Sequence, residues 1–190
     1  LYLDITGRTD WSSTLPKQNQ RFFYPSVTTS FVFTDAFDMD TDILSFGKVR
    51  VAWAKAGNDT NPYQLQPTYS AGSFDSQPTA TVNATIPAVE LKSESSTSLE
   101  FGVDMRFLNG RAGLDFTYYK IDATNQILPG PLPRSSGNSA FRFNTGHLQN
   151  KGIELLLTGT PVQTTDFSWE VAFNMNINRN KILKLDDEGL

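Results

Sequence analysis

From end to end the chain alternates apolar and polar residues with a period of two, the spacing that sends successive side chains to opposite faces of a β-strand. Leu1, Leu3 and Ile5 alternate with Tyr2, Asp4 and Thr6, and Phe23, Val27, Phe31 and Phe33 share a parity against Tyr24, Ser26, Thr28 and Ser30. Val49, Val51 and Trp53 oppose Lys48, Arg50 and Ala52, while Leu99, Phe101, Val103, Met105 and Phe107 oppose Glu100, Gly102, Asp104 and Arg106. Further on, Leu114, Phe116 and Tyr118 stand against Asp115, Thr117 and Tyr119, and Ile153, Leu155 and Leu157 against Glu154 and Thr158. A last run sets Trp169, Val171, Phe173, Met175 and Ile177 against Glu170, Ala172, Asn174, Asn176 and Asn178. A helical stripe is visible only at Phe37–Leu44. The pattern predicts an all-β chain of about seven antiparallel strands. Strands in soluble domains average roughly 5 to 6 residues, whereas a tilted strand crossing a membrane needs roughly 9 to 11. These runs match the longer figure.

The connections alternate in length as well. Loops at Asp10–Arg21, Asn58–Ser96 and Thr124–Ala140 interleave with shorter turns at Ala36–Phe46, Asn109-Gly110 and Pro161–Asp166. Long and short connections therefore fall at opposite ends of the strands, the asymmetry of outer-membrane barrels with short periplasmic turns and longer extracellular loops. Residues 58–96 are read as one long extracellular loop.

Asn109-Gly110 favours a type I′ turn, because both positions tolerate positive φ, and this fixes the register of the flanking strands. Leu108 then faces Arg111, Met105 faces Leu114, Val103 faces Phe116 and Phe101 faces Tyr118, which leaves one face apolar. On the other face Asp104 meets Asp115. Like charges directly opposite are unfavourable, so that face must hold water or a neighbouring cation, with Arg106, Lys48 and Arg50 as the candidates. A one-residue slip would turn the charges into apolar surroundings, at roughly 2–4 kcal/mol for a mid-bilayer Arg or Lys.

Composition narrows the field further. Aromatic residues make up 12% of the 190 residues, a mixture that suits strands. The net charge of -4 with singly scattered basic residues lacks the footprint of a nucleic-acid binder. No cysteine is present, which removes disulfides, thiolate metal sites and cysteine nucleophiles. No apolar run reaches the length of a helical membrane span, which leaves a β-barrel open because its signal is alternation. The opening residues already alternate and the final "KLDDEGL" closes no element, so the chain reads as a segment of a longer protein.

Successive pieces carry a family resemblance. "RFFYPSVTTSFVF" (Arg21–Phe33), "SFGKVRVAWAKAGNDT" (Ser45–Thr60), "SLEFGVDMRFLNGRAGLDFTYYK", "NQIL", "FNTGHLQNKGIELLLTGTPV" and "FSWEVAFNMNINRNKI" together resemble strands of the SusC/RagA-type TonB-dependent outer-membrane transporters. The Asn144–Glu154 segment resembles TonB-dependent receptors in general, and the Gly47–Asp59 run resembles the SusC/RagA branch. The resemblance implies a 22-stranded barrel with an N-terminal plug, of which this chain supplies strands but neither the plug nor the TonB-contacting segment. It implies import of nutrients such as glycans or peptides, energy from TonB, a SusD-type surface lipoprotein as partner, and a place in the outer-membrane lipid. No cofactor is implied.

Candidate chemistry adds little to this picture. His147 is the single histidine, so no His-based triad or multi-histidine metal site can be assembled, and a structural role is the expectation. "DMDTD" at Asp38–Asp42 begins like a calcium loop but continues with Ile43 where Gly belongs and Val49 where Glu belongs, so it reads as a solvated acidic turn. Glu100, Asp104, Asp115, Glu154 and Glu170 formally offer carboxylate pairs for glycoside hydrolysis, yet alternation alone gathers them on one face. No catalytic or metal residue is assigned. Tyr63, Tyr69 and Phe74 in the longest loop are substrate-binding candidates, with packing against the barrel rim as the plainer alternative. Gly146 and Gly152 read as a bulge or bend, and Trp53, Tyr118, Tyr119 and Trp169 as an aromatic girdle in which Tyr119 has the wrong parity.

The expectation is thus a wall whose lipid-facing side carries Phe31, Phe33, Trp53, Phe101, Val103, Phe116, Tyr118, Trp169 and Phe173. Its lumen-facing side carries Lys48, Arg50, Glu100, Asp104, Arg106, Asp115, Glu154 and Glu170. Two rivals are a soluble β-sandwich carbohydrate-binding module, with the apolar face packed on a second sheet, and a glycoside hydrolase on the same strands.

Overall fold

A computed structural model of the chain describes residues 1–39, 43–88 and 90–185. Its elements are β1 (Tyr2–Trp11), a 3-10 turn at Lys17–Asn19, β2 (Arg21–Val32), α1 (Phe33–Ala36), β3 (Leu44–Asn58), β4 (Tyr69–Phe74), β5 (Gln77–Val82), β6 (Thr85–Ile86), β7 (Glu94–Phe107), β8 (Ala112–Pro131), a 3-10 turn at Arg134–Ser136, β9 (Ala140–Gln163) and β10 (Ser168–Lys184). The seven long strands form one antiparallel sheet in the order β1-β2-β3-β7-β8-β9-β10, each beside its predecessor among the long strands. An up-and-down order of this kind is the topology of a barrel wall.

Alternation builds the two faces. Along one, Val51 pairs with Phe101, Phe101 with Tyr118, Tyr118 with Ile153 and Ile153 with Ile177. No second layer covers this face among the described residues: Phe101 is 42% exposed and Phe173 53% exposed, and the fully buried apolar side chains are Leu15 and Leu91, both in loops. A sandwich needs its apolar face against another sheet. The described residues supply no such sheet.

The β7–β8 hairpin has the register its turn demands, with Met105 opposite Leu114, Val103 opposite Phe116, Phe101 opposite Tyr118 and Asp104 opposite Asp115. Asn109 (φ 55) and Gly110 (φ 87) are left-handed, and the Arg111 amide donates to the Leu108 carbonyl at 3.2 Å, as a type I′ turn requires. Leu108 is itself at φ 55, an uncommon conformation for a branched side chain.

Several elements differ from the sequence reading. The helical turn is Phe33–Ala36, one turn earlier than the Phe37–Leu44 stripe. Its cause is local: the Phe33 ring covers Gly47, where a Cβ would lie 2.2 Å from the ring, and the Gly47 amide donates to the Thr34 hydroxyl at 3.2 Å. Phe33 therefore leaves the strand yet stays over the apolar face of β3. Asp40 and Asp42 lie outside the described residues, while Asp38 is exposed at φ 47. The expected loop at Thr124–Ala140 is mostly strand, because β8 runs to Pro131 and β9 begins at Ala140. The 58–96 loop shortens to the span between Asn58 and Glu94 and contains the β4–β5 hairpin and β6. Gly146 (φ 80) marks a bend as expected, level with Asn125 (φ 57) on β8. Gly152 does not: it pairs regularly with Tyr119 and Asn178, and its missing side chain leaves room for the Tyr119 hydroxyl, 2.5 Å from where a Cβ would be.

Strand length is informative about the long-loop end. β9 has 24 residues, about 80 Å when extended, whereas the apolar band of a barrel wall is about 25 Å tall. β8 and β9 are therefore longer than such a band requires, and the excess lies at the end that carries the long loops.

Candidate functional site

On the charged face the pair Asp104 and Asp115 is resolved by cations from β3. Lys48 lies 3.4 Å from Asp104. Arg50 spans two strands: its guanidinium donates to both Asp115 oxygens at 2.9 and 3.2 Å and to the Thr117 hydroxyl at 2.6 Å, with Glu100 at 3.8 Å. Gly102 makes this reach possible, because a Cβ there would sit 2.4 Å from Nε of Arg50. A bidentate charge-assisted pair of this kind fixes geometry as well as energy. Arg106, the third candidate cation, instead lies over the Phe46 ring at 5.2 Å. Glu154 accepts from the Asn176 amide at 3.2 Å, and Glu170 follows on the same parity of β10. Arg50, Asp115, Thr117, Glu154, Asn174 and Asn176 line an open hollow of about 560 Å³ on this face. Every carboxylate of the group is explained by pairing or by alternation.

The other parity carries Phe31, Trp53, Phe101, Val103, Phe116, Tyr118, Trp169 and Phe173, in register across β2, β3, β7, β8, β9 and β10. Trp53 and Tyr118 close its long-loop end and Trp169 its short-turn end, while Tyr119 lies on the charged face over Gly152.

At the long-loop end a set of clamps ties loop to wall. The Asn144 side chain donates to the Lys92 carbonyl at 2.8 Å and the Asn125 carbonyl at 2.9 Å, and accepts from the Lys92 amide at 2.7 Å. The Asn19 amide group donates to the Leu91 carbonyl at 2.9 Å, where Leu15 and Leu91 are buried. Asp59 accepts from the Ser12 and Thr14 hydroxyls, and Glu94 accepts from the Ile127 amide at 3.0 Å. β6 adds in parallel to the start of β9, Thr85 opposite Ala140. The His147 ring donates to the Asp122 carboxylate at 3.1 Å, beside the Gln149 amide at 2.9 Å and Lys120 at 2.8 Å, so it belongs to a structural polar cluster. None of these clamps is predictable from alternation. The Asn144–Glu154 motif flags the place but not the bonds.

Tyr63, Tyr69 and Phe74 are 81%, 69% and 78% exposed on this chain. Tyr63, with Gln64, Gln66, Asn83, Thr85 and Arg142, lines a cleft of about 290 Å³ at the foot of the β4–β5 hairpin. The three aromatics are not gathered into one site: Tyr69 and Phe74 sit at opposite ends of β4. No helix among the described residues is long and apolar enough to cross a membrane, which leaves strand crossing untouched.

Comparison with known proteins agrees with this architecture. The family described as "TonB dependent receptor-like, beta-barrel" matches residues 1–188. TonB-dependent receptor P3 of Formosa agariphila is 33% identical over 188 residues, covering 96% of this chain and 19% of the relative. TonB-dependent receptor SusC of Bacteroides thetaiotaomicron is 29% identical over 192 residues, covering 95% and 19%. Among solved structures the RagAB peptide importer in its closed-closed state superposes with a TM-score of 0.86 at 24% identity, over 98% of this chain and 21% of that one. The siderophore receptor PirA of Pseudomonas aeruginosa reaches 0.57 at 19% identity, over 88% and 30%. The chain spans about a fifth of the length of these curated relatives. A match along almost its whole length, on a seven-strand wall of alternating faces, places the chain in the TonB-dependent receptor β-barrel family, with the SusC/RagA type as its likeness.

Proposed function

We propose that the chain is a wall segment of an outer-membrane importer of nutrients, of the glycan or peptide class, driven by energy from TonB. In this reading the whole protein is a 22-stranded barrel with a plug, and a SusD-type lipoprotein covers its outer mouth. The apolar parity meets lipid. Lys48, Arg50, Glu100, Asp104, Arg106, Asp115, Glu154 and Glu170 face the water-filled lumen. The segment binds and guides cargo without chemistry upon it.

The observation that carries the reading is the single layer: an apolar face left open beside a face whose charges are paired by Arg50 and Lys48. A soluble protein would cover the first face, and a dry interface would exclude the second. The likeness to SusC and to a peptide importer supports the nutrient classes, and the exposed Tyr63, Tyr69 and Phe74 are proposed to meet cargo or lid.

The test uses a strain lacking the full-length gene, grown on defined glycans or on defined peptides as limiting nutrient. Loss of growth on one class, restored by the intact gene and blocked by a protonophore, is the expected result. Recovery of the protein in the soluble fraction, or undiminished growth on all nutrients, contradicts the proposal.

A further inference from the structure

The apolar parity changes character abruptly toward the long-loop end. In β8 it reads Leu114, Phe116, Tyr118 and then Lys120; in β9 Leu157, Leu155, Ile153 and then Lys151; in β10 Phe173, Met175, Ile177 and then Arg179. The strand register aligns the three switches: Lys120 pairs directly with Lys151, and Lys151 with Arg179. One position further out, Asp122 pairs with Gln149 and Gln149 with Lys181.

Three cations side by side on neighbouring strands repel one another. The only carboxylate of the patch among the described residues is Asp122, and it is already engaged by Lys120 at 2.8 Å, Gln149 at 2.9 Å and His147 at 3.1 Å. Lys151, Arg179 and Lys181 are exposed and point outward from the same face as the apolar band. On the other face, where like charges also meet, the chain supplies its own counter-ions. Here the described residues supply one, Asp122 to Lys120, and none of the ion pairs among them includes Lys151 or Arg179.

We propose that this row binds the phosphate groups of anionic lipid headgroups in the leaflet on the long-loop side. Position selects the partner. From Trp169 to Ile177 the outward side chains of β10 are all apolar over nine residues, a rise of about 20 Å once strand tilt is included, so that position 179 stands at about 25 Å. Arg179 and Lys151 come next, at the height where hydrocarbon gives way to headgroups. Basic side chains just outside a hydrophobic band attract anionic lipid, and their long stems remain over the last apolar row.

The inference rests on the reading that the apolar face meets lipid, and the experiment separates the two. Full-length receptor in a neutral detergent is titrated with dioctanoyl phosphatidylglycerol or dioctanoyl phosphatidylcholine and bound lipid is counted by native mass spectrometry. Preference for the anionic lipid is expected, and K151S/R179S should raise its half-saturating concentration about 25-fold, fivefold per cation. The exchange K151R/R179K should restore binding, and K17S/R134S, which removes the same charge from loops, should leave it unchanged. Equal binding of both lipids, or an unchanged midpoint in K151S/R179S, overturns the lipid site. In parallel, a bimane on F173C in a cysteine-free background is exposed to acyl-brominated lipid. Quenching with no anionic preference refutes the headgroup site alone, whereas absence of quenching refutes the wall reading and the site with it.

Discussion

Arg50 is the residue on which the charged face turns. It reaches Asp115 only because Gly102 has no side chain between them, so the two positions act as one device. Gly102→Val should displace the guanidinium and destabilise the wall by about 1–3 kcal/mol through overpacking. Asp115→Asn should cost less, about 1 kcal/mol, because the pair is partly open to solvent. Both are measured as shifts in the urea midpoint of heat-modifiable gel mobility of the full-length barrel, and equal shifts would contradict the steric role given to Gly102. Leu108 supplies an opposite case. It holds φ 55 at the hairpin turn without packing of note, being 52% exposed. Leu108→Gly should therefore stabilise by about 1 kcal/mol, the cost of a left-handed branched residue, and a fall in the same midpoint would contradict that view.

Among the elements, the hairpin β7–β8 was the most legible in sequence, since Asn109-Gly110 determines turn type and the turn determines register. The strands β1, β2, β3, β9 and β10 were legible for the same reason of period two. What escaped was everything long-range and polar. The extension of β8 to Pro131 passes through Asn125-Gln126 and two prolines, a composition that reads as loop. It is strand because Phe141 and Phe143 stack at 4.8 Å across Gly130, which has no side chain in their way. The parallel addition of β6 has only two residues and no periodic signal. The Asn144 clamp depends on Lys92, 52 residues away. Asn144→Ala removes three hydrogen bonds at once and should loosen the loop locally by about 1–3 kcal/mol. Limited proteolysis should then cut between Asn58 and Glu94 faster while the barrel's heat-modifiability is unchanged. Uncut loop would show that β6 and the Asn19–Leu91 hydrogen bond suffice to hold it.

At the scale of the sheet, the described residues form one layer, with an apolar face they leave uncovered and a charged face on which Lys48 and Arg50 offset the Asp104–Asp115 pair. Such a sheet is stable only where its environment differs on the two sides, and membership of the TonB-dependent receptor β-barrel family supplies that environment. Side-chain parity was legible in the sequence; the identity of the cargo was not, because Tyr63, Tyr69 and Phe74 are spread over an exposed loop and converge on no single pocket. The most direct test is cysteine scanning of β7 from Leu99 to Met105 in the full-length protein, with a membrane-impermeant maleimide applied to native outer membranes. Labelling should alternate, strong at positions 100, 102 and 104 and weak at 99, 101, 103 and 105. Uniform labelling, or alternation in the opposite phase, would contradict the wall.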